Sequence, residues 1–278
     1  MTMRNMYKWW LLVAVAILAL PGCNKSNHEE KLMTTTQIST PEWQALEKKR
    51  VVFGHQSVGY NILDGVTRLA NRDGAKIDIH EQRTAPTAQG ISHFTIGKNG
   101  DPMSKIQDFA AAIDAGAAQG ADIALMKLCY VDFNATTNAR QLANDYIANL
   151  EALAQKHPDT NFVAVTAPLV TVQTGPKAWL KQLMSKQPNG YLDNARRAEF
   201  NTQLRERYLK TGRLFDLARI ETESTDKCCK VRVDGQEVEV LNPELTNDGG
   251  HLNEQGQLLV ATALLNFVST LPSKQAAR

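Results

Sequence analysis

A serine and an Asp–His pair, far apart along the chain, are the residues whose types and spacing point to chemistry. Ser57 lies in the segment from Gly54 to Gly59, which directly follows an apolar run. Asp248 and His251 stand three residues apart in a glycine-bearing loop ahead of a helical pattern. Such a loop can fold back so that the carboxylate holds the imidazole Nδ1–H, which leaves Nε2 free to take a proton from a serine. The pattern predicts a nucleophilic serine served by a distant acid–base pair.

Each motif also has a plain structural interpretation. Serine is a preferred N-cap, and Ser57 stands where a strand gives way to a helix. A hydroxyl at that point also faces the helix N-terminus, whose N–H groups can stabilise an oxyanion. An isolated Asp-x-x-His segment is more often a solvated turn than a catalytic pair. The serine after the first strand and the Asp–His loop before the last helix together favour chemistry.

The elements that must position these residues follow from apolar periodicity. Strands are predicted at 50–54, 77–82, 122–128, 161–166 and 213–217, with a hairpin at 230–241. Helices are predicted at 41–49, 58–71, 104–113 with Ser104 as cap, 138–157, 176–211 with a break at 188–190, and from about 254 to 271 with Asn253 as cap. The segment 83–103 is predicted as a long loop. This alternation predicts an α/β fold: a flavodoxin-like three-layer α/β/α sandwich with a five-stranded parallel sheet.

Together these features resemble the SGNH (GDSL-like) hydrolases over roughly residues 51–270. In that family the nucleophilic serine follows the first strand and an Asp-x-x-His segment precedes the last helix. The resemblance implies that Ser57 attacks an ester, His251 acts as general base, and Asp248 orients the imidazole. The chain contains no Gly-x-Ser-x-Gly segment, which argues against the larger α/β-hydrolase family.

The resemblance also implies three oxyanion donors. They are the backbone N–H of Ser57, a loop glycine after the second strand, and an asparagine after the third. Gly100 is the expected glycine, with Gly90 as its competitor. A valine, Val131, occupies the position that matches the family's asparagine, so Asn134 is the expected third donor. If Asn134 is not the third donor, Tyr130 or a backbone N–H is expected to supply that hydrogen bond to the oxyanion.

Three further side chains are predicted to line the substrate site: His55, Tyr130 and Lys127. His55 stands near Ser57 where the family has Gly-Asp-Ser, and a structural hydrogen-bonding role is favoured for it, since one general base suffices. Lys127 is polar at the end of a strand that should be apolar. It is expected either to line the site or to pair with Asp132.

The N-terminus has the pattern of an export signal. Arg4 and Lys8 precede an apolar run at 9–20, which is shorter than the roughly 20 residues that span a bilayer. Leu20-Pro-Gly-Cys23 resembles a bacterial lipobox, so residues 1–22 are the expected signal peptide and Cys23 the lipidation site. Residues 23–40 are expected to form a flexible tether and 41–278 a single domain. Asn24 after the cysteine favours the outer membrane, facing the periplasm.

Charge and cysteine content narrow the possible partners. The chain has 31 Lys and Arg against 29 Asp and Glu, and without Arg4 and Lys8 the two totals are equal. Neutrality argues against a nucleic-acid partner. No Cys–His spacing suggests a metal, and no cofactor is expected. Cys129 could pair with Cys228 or Cys229, those two could pair with each other, or all three could be free thiols.

These features predict a serine esterase that removes acyl groups, such as O-acetyl, from an envelope or extracellular carbohydrate. The partners are then an acylated carbohydrate or another small ester, and a membrane through the N-terminal lipid. A carbohydrate O-acyltransferase with the same three residues is an alternative. A non-catalytic polysaccharide-binding or scaffolding lipoprotein is the other.

Overall fold

The computed structural model describes residues 36–223 and 229–273. The predicted signal peptide, Cys23 and Cys228 lie outside the described residues. Within those residues the strands are β1 (Arg50–His55), β2 (Ile79–Glu81), β3 (Gly90–Thr95), β4 (Ile123–Met126), β5 (Asn161–Val165), β6 (Leu214–Phe215), β7 (Lys230–Val233) and β8 (Gln236–Glu239). The α-helices are α1 (Thr40–Leu46), α2 (Val58–Asp73), α3 (Pro102–Ala112), α4 (Ala139–Lys156), α5 (Gly175–Leu183), α6 (Tyr191–Tyr208), α7 (Leu217–Glu221) and α8 (Glu254–Thr270).

The first six strands form one parallel sheet in the order β2-β3-β1-β4-β5-β6. Successive side chains of a strand point to opposite faces, and β1 divides its apolar residues accordingly. Val51 and Phe53 pack in the core formed with α1, α2 and α8. Val52 packs in the core formed with α3, α4 and α6. The predicted three-layer α/β/α sandwich is therefore confirmed.

The predicted count of five strands is wrong, because β3 lies inside the segment that the sequence predicts as a loop. This strand begins at a glycine and carries polar residues, Ser92 and His93, that hide its apolar character. Both are buried because each has a partner: Ser92 Oγ accepts from Gln82, and His93 Nδ1 lies 3.1 Å from His55 Nε2. Satisfied polar side chains allow a strand to be central despite its composition.

The turns at 188–190 and 234–235 and the N-caps of α3 and α8 are local features for which the sequence makes definite predictions. The break at 188–190 separates α5 from α6, and the hairpin β7–β8 turns at residues 234–235, both as predicted. Asn253 caps α8 by accepting from the N–H of Gly256 at 3.0 Å, also as predicted. The predicted cap of α3 is wrong. Asp101 caps that helix by accepting from the N–H of Ser104, so Ser104 lies within its first turn.

The helices α2 and α8 pack closely. A Cβ atom on Gly65 of α2 would lie 2.3 Å from the backbone oxygen of Gln257 in α8, so only glycine permits this approach. The approach places the loop ahead of α8 beside the N-terminus of α2. Among the described residues, none of the helices combines the length and the apolar character needed to cross a bilayer.

Candidate active site

Ser57 follows β1 and occupies the N-cap position of α2. Its backbone has φ 50° and ψ −106°, a left-handed conformation that is uncommon for a residue with a side chain. Within the described part of the chain, its hydroxyl makes no capping hydrogen bond to α2. The capping role is therefore not the one this serine fills. Strained backbone of this kind costs roughly 1–3 kcal/mol and is concentrated at functional sites.

Backbone hydrogen bonds to the Asp248 carboxylate fix the conformation of the loop from Thr246 to Leu252. Oδ1 of Asp248 accepts from the backbone N–H groups of Gly250 and His251, at 2.9 and 2.8 Å. Oδ2 lies 2.6 Å from His251 Nδ1. The N–H of Leu252 donates to the side chain of Asn61 in α2, at 3.2 Å, which fixes the loop to the helix that begins at the serine.

The three predicted residues meet in one relay. Ser57 Oγ lies 2.6 Å from His251 Nε2, and the other ring nitrogen faces Asp248. The His251 hydrogen bond, followed by the two backbone N–H groups, lowers the pKa of Asp248 below its ordinary value. A carboxylate that stays charged holds the imidazole with a proton on Nδ1, which leaves Nε2 as the acceptor for the serine proton. The arrangement can therefore activate the Ser57 hydroxyl.

The sheet order, the serine after β1 and the Asp–His loop before α8 now define the architecture. The fold is SGNH-like. No protein-family model and no curated protein sequence matches the chain.

Three solved structures illustrate the likeness. A protein assigned to the lipolytic G-D-S-L family from Desulfitobacterium hafniense has 10% identity and a TM-score of 0.47, over 79% of this chain and 99% of that one. A protein assigned as a GDSL-like lipase from Parabacteroides merdae has 13% identity and a TM-score of 0.45, over 80% and 96%. The periplasmic domain of the lipopolysaccharide acetyltransferase from Salmonella ser. Paratyphi A has 11% identity and a TM-score of 0.44, over 88% and 97%. Likenesses of this degree concern the fold and indicate neither the substrate nor the reaction of this chain.

Tyr130 lies directly beside the relay of this SGNH-like fold. Its hydroxyl is 3.3 Å from Nε2 and 3.4 Å from Nδ1 of His251, and the two rings meet edge to face. Burial and then the negative charge of Asp248 raise the pKa of Tyr130, so its hydroxyl keeps its proton. Of the three side chains predicted to line the site, Tyr130 is the one that the structure brings to it.

Gly250 leaves the space that the Tyr130 ring occupies, and Arg197 fixes the Tyr130 backbone by a hydrogen bond. A Cβ atom on Gly250 would lie 2.9 Å from the Tyr130 ring, so a glycine is needed at that point of the Asp–His loop. Arg197, which is buried, donates to the backbone oxygen of Tyr130 at 2.7 Å. Burial lowers the pKa of Arg197 to about 10. Sequence reasoning missed Arg197, since a single arginine on the helical pattern of α6 carries no local sign of burial.

His55 and Lys127 do not line the site, which corrects both predictions. His55 is fully buried against His93, and a Cβ atom on Gly59 would lie 2.2 Å from its Nδ1. Burial, then the charge of Lys127, lowers the pKa of His55 to about 2. The favoured structural role agrees with this placement. Lys127 is fully buried too, and its ammonium donates to the backbone oxygen of Leu128.

The expected partner of Lys127 pairs with a different lysine. Asp132 forms a fully buried ion pair with Lys105 of α3, at 2.7 Å. The same carboxylate accepts from the backbone N–H of Gly100 at 2.9 Å and of Cys129 at 2.6 Å. Asp132 therefore ties the loop after β3 to the loop after β4. Both loops border the carboxyl edge of the sheet.

This tie corrects the predicted oxyanion donors. The Gly100 N–H already donates to Asp132, so it is not available to an oxyanion in this arrangement. Asn134 lies exposed in a local turn, where its carboxamide oxygen accepts from the backbone and the hydroxyl of Thr136. Within the described residues, no hydrogen bond joins Asn134 to the relay. The competitor Gly90 begins β3 at the opposite end from Thr95, so it does not reach the carboxyl edge either. Of the groups named as possible donors, the Ser57 N–H and the Tyr130 hydroxyl are the ones that lie at the relay.

The two described cysteines differ in their bonding state. Cys129 is a buried free thiol, which excludes both predicted pairings that involve it, and Cys229 is disulfide-bonded. In the described ranges, no cluster of three or more His, Cys, Asp or Glu is placed to hold a metal ion.

A cavity of about 350 Å³ lies behind the Asp–His loop, lined by Thr171, Thr174, Thr246, Asn247 and Gly249 among others. Its wall is mixed, because these hydroxyl and amide groups alternate with the apolar side chains of Val172, Val240, Leu241 and Pro243.

Proposed function

We propose that this chain is a carboxylic ester hydrolase of SGNH type that uses Ser57 as its nucleophile. The observation that carries the proposal is the relay in which Ser57 Oγ lies 2.6 Å from His251 Nε2 while His251 Nδ1 lies 2.6 Å from Asp248. Ser57 supports it further, because its backbone is strained and its hydroxyl, in the described chain, makes no capping bond.

The chemistry proceeds in two halves. His251 Nε2 takes the Ser57 proton as Oγ attacks the ester carbonyl, and the carbonyl oxygen becomes an oxyanion. The protonated imidazole then gives that proton to the leaving alcohol, which breaks the C–O bond and leaves an acyl group on Ser57. Water attacks the acyl group with the same help from His251, and the free serine returns. Asp248 stabilises the imidazolium in both halves.

The Ser57 N–H and the Tyr130 hydroxyl are the proposed oxyanion donors. Ser57 is at the N-terminus of α2, where backbone N–H groups lack intrahelical partners. The Tyr130 hydroxyl stands within hydrogen-bond range of the same imidazole that receives the serine proton, so it lies beside the reacting centre. A donor at that point replaces the one that Gly100 cannot supply.

The proposed substrates are acyl esters of an envelope or extracellular carbohydrate. The relay is open, since the Asp248 and His251 side chains are 57% and 43% exposed, and a bulky glycan can reach it. The cavity behind the Asp–His loop has a mixed wall that offers hydroxyl and amide groups to the polar groups of a sugar and apolar side chains to its ring faces. The same openness also admits a sugar hydroxyl as acceptor in place of water, which would make the chain an O-acyltransferase.

A binding protein without turnover is the alternative of a different class. The observation in its favour is that the Gly100 N–H is already engaged, so the expected oxyanion site is incomplete. The full chain treated with a fluorophosphonate distinguishes the two. We expect labelling of wild type and none of Ser57→Ala, weak labelling of His251→Ala, and turnover of short acyl esters that follows the same order. A wild-type chain that stays unlabelled and turns over no ester would leave the binding role.

We further propose that the chain is an exported lipoprotein anchored through Cys23, in the outer membrane and facing the periplasm. The support is the order of charged, apolar and small residues that ends at Cys23. Replacing Cys23 with Ser should block lipidation and leave an unprocessed precursor. Maturation of that variant to the wild-type mobility would refute the anchor.

A further inference from the structure

The helix α5 turns its apolar side away from the protein. Ala178 is buried against the body, while Trp179, Leu180, Leu183 and Met184 are 63, 51, 67 and 57% exposed. At about 100° per residue these four side chains span an arc of about 140°, centred nearly opposite Ala178. We call them the α5 patch. An amphipathic helix on a globular protein ordinarily buries that side, and the described residues leave the α5 patch exposed, so the patch calls for a partner.

The charged side chains of the segment that carries the α5 patch are all positive. Lys177, Lys181 and Lys186 belong to this segment, and residues 174–192 contain no Asp or Glu. A second copy of the chain would bring the same lysines together with no acidic side chain of this segment between them. The four apolar side chains of the α5 patch are each more than half exposed, so the acyl region of a lipid bilayer can surround them.

We propose that the α5 patch inserts into the interface of an anionic lipid bilayer. Tryptophan and leucine on one side of a helix with lysines at its border are the composition of helices that lie in the plane of a membrane surface. The lysine ammonium groups meet acidic headgroups, and the apolar side chains enter the acyl boundary. This contact is separate from any N-terminal anchor and does not depend on ester hydrolysis.

The contact also orients the candidate site. The segment that leads into α5 is held to the Asp–His loop, since the Thr171 N–H donates to the Gly249 oxygen at 2.9 Å. The patch and the relay therefore belong to the same edge of the sheet. A chain docked through α5 holds this edge at the membrane surface.

Trp179 itself is the probe for the test. The full chain is mixed with vesicles of phosphatidylcholine that contain about one-third phosphatidylglycerol and a brominated lipid, and Trp179 quenching is taken as the difference between wild type and Trp179→Phe. Because this difference reports Trp179 alone, quenching of Trp9, Trp10 and Trp43 does not enter it. We expect clear quenching, weakened by salt and by Lys177→Gln combined with Lys181→Gln.

Matched variants decide the outcome. Leu183→Glu should reduce the quenching about tenfold, because it exchanges an inserted apolar side chain for a carboxylate. Leu209→Glu, at an equally exposed leucine outside the patch (60%), should leave it unchanged. The proposal is overturned if Trp179 is not quenched, if quenching is equal on pure phosphatidylcholine, or if both glutamate variants behave alike. A Trp179 signal that changes with protein concentration in the absence of vesicles would assign the patch to a second copy instead.

Discussion

Ser57 and His251 are 194 residues apart in the chain, yet Ser57 Oγ and His251 Nε2 are 2.6 Å apart in space. Two other contacts between the same elements hold them there. Asn61 of α2 accepts from the backbone of Leu252, and Gly65 lets α8 approach α2 closely. The distance is therefore a property of the packed helices and not of two flexible loops.

The backbone of Ser57 leads to a prediction that separates activity from stability. Ser57→Ala and Ser57→Gly both remove the nucleophile, so both should lower ester turnover by about 10⁴-fold or more. Glycine tolerates φ 50° and alanine does not, so the glycine variant should be more stable than the alanine variant by about 1 kcal/mol. Kinetics and urea denaturation of both variants provide the check. Equal stabilities would mean that Ser57 is not strained.

The donors at the oxyanion can be distinguished by a pair of substitutions. Tyr130→Phe keeps the ring against His251 and removes only the hydroxyl, so kcat should fall roughly 10- to 10³-fold. Asn134→Ala, which alters an exposed turn, should change kcat less than about twofold. Steady-state kinetics on a short acyl ester measure both. The reverse result would restore Asn134 as the donor.

The buried Lys105–Asp132 pair should be indispensable for stability. Lys105→Met leaves the Asp132 charge buried without its cation and should destabilise the fold by about 3–5 kcal/mol. Lys230→Met, at a pair with Glu237 whose side chains are 59% and 61% exposed, is the control, with an expected loss of less than about 1 kcal/mol. Chemical denaturation compares the two. Similar losses would show that burial of the first pair does not matter.

The buried His55 makes stability depend on pH. Its pKa is about 2 in the folded chain and about 6.5 when unfolded, so below pH 6.5 the unfolded chain binds a proton that the folded chain does not. Stability should therefore fall as pH falls, by about 2 kcal/mol between about pH 7.5 and pH 5. The pKa of His93 is also lowered by burial and acts in the same direction. His55→Gln should be less stable at pH 7.5 but lose less on acidification. An unchanged slope in denaturation midpoints would contradict this origin.

Local sequence patterns were enough for much of the fold. The strands β1, β4 and β5 each contain an unbroken apolar run, at 51–53, 123–126 and 162–165, so burial on both faces of a sheet could be predicted from them. The strand β3 could not, because its His93 is buried by virtue of its contact with His55, which belongs to a neighbouring strand. A polar residue satisfied by a distant partner leaves no periodic signal.

The candidate site divides in the same way. Ser57, Asp248 and His251 could be proposed because two short motifs carry their chemistry. The Lys105–Asp132 ion pair and the hydrogen bond from the Gly100 N–H to Asp132 could not be predicted. These contacts join residues about 30 positions apart that share no sequence pattern. The helix α5 was predicted as a helix, but periodicity does not reveal which side faces the body. Its exposed apolar side became visible only in three dimensions.

The packing of α8 on α2 at Gly65 has a consequence for the order in which the molecule acquires its working parts. Ser57 and all six strands of the parallel sheet are present once residue 215 has been made. His251 and Asp248 enter only with residues 248–251, and the helix that follows holds them in place. A chain cut before residue 248 would keep the strands of the sheet while lacking the imidazole that lies beside the Ser57 hydroxyl. On the proposed mechanism, Ser57 therefore stays unactivated during synthesis until the last part of the molecule has been made.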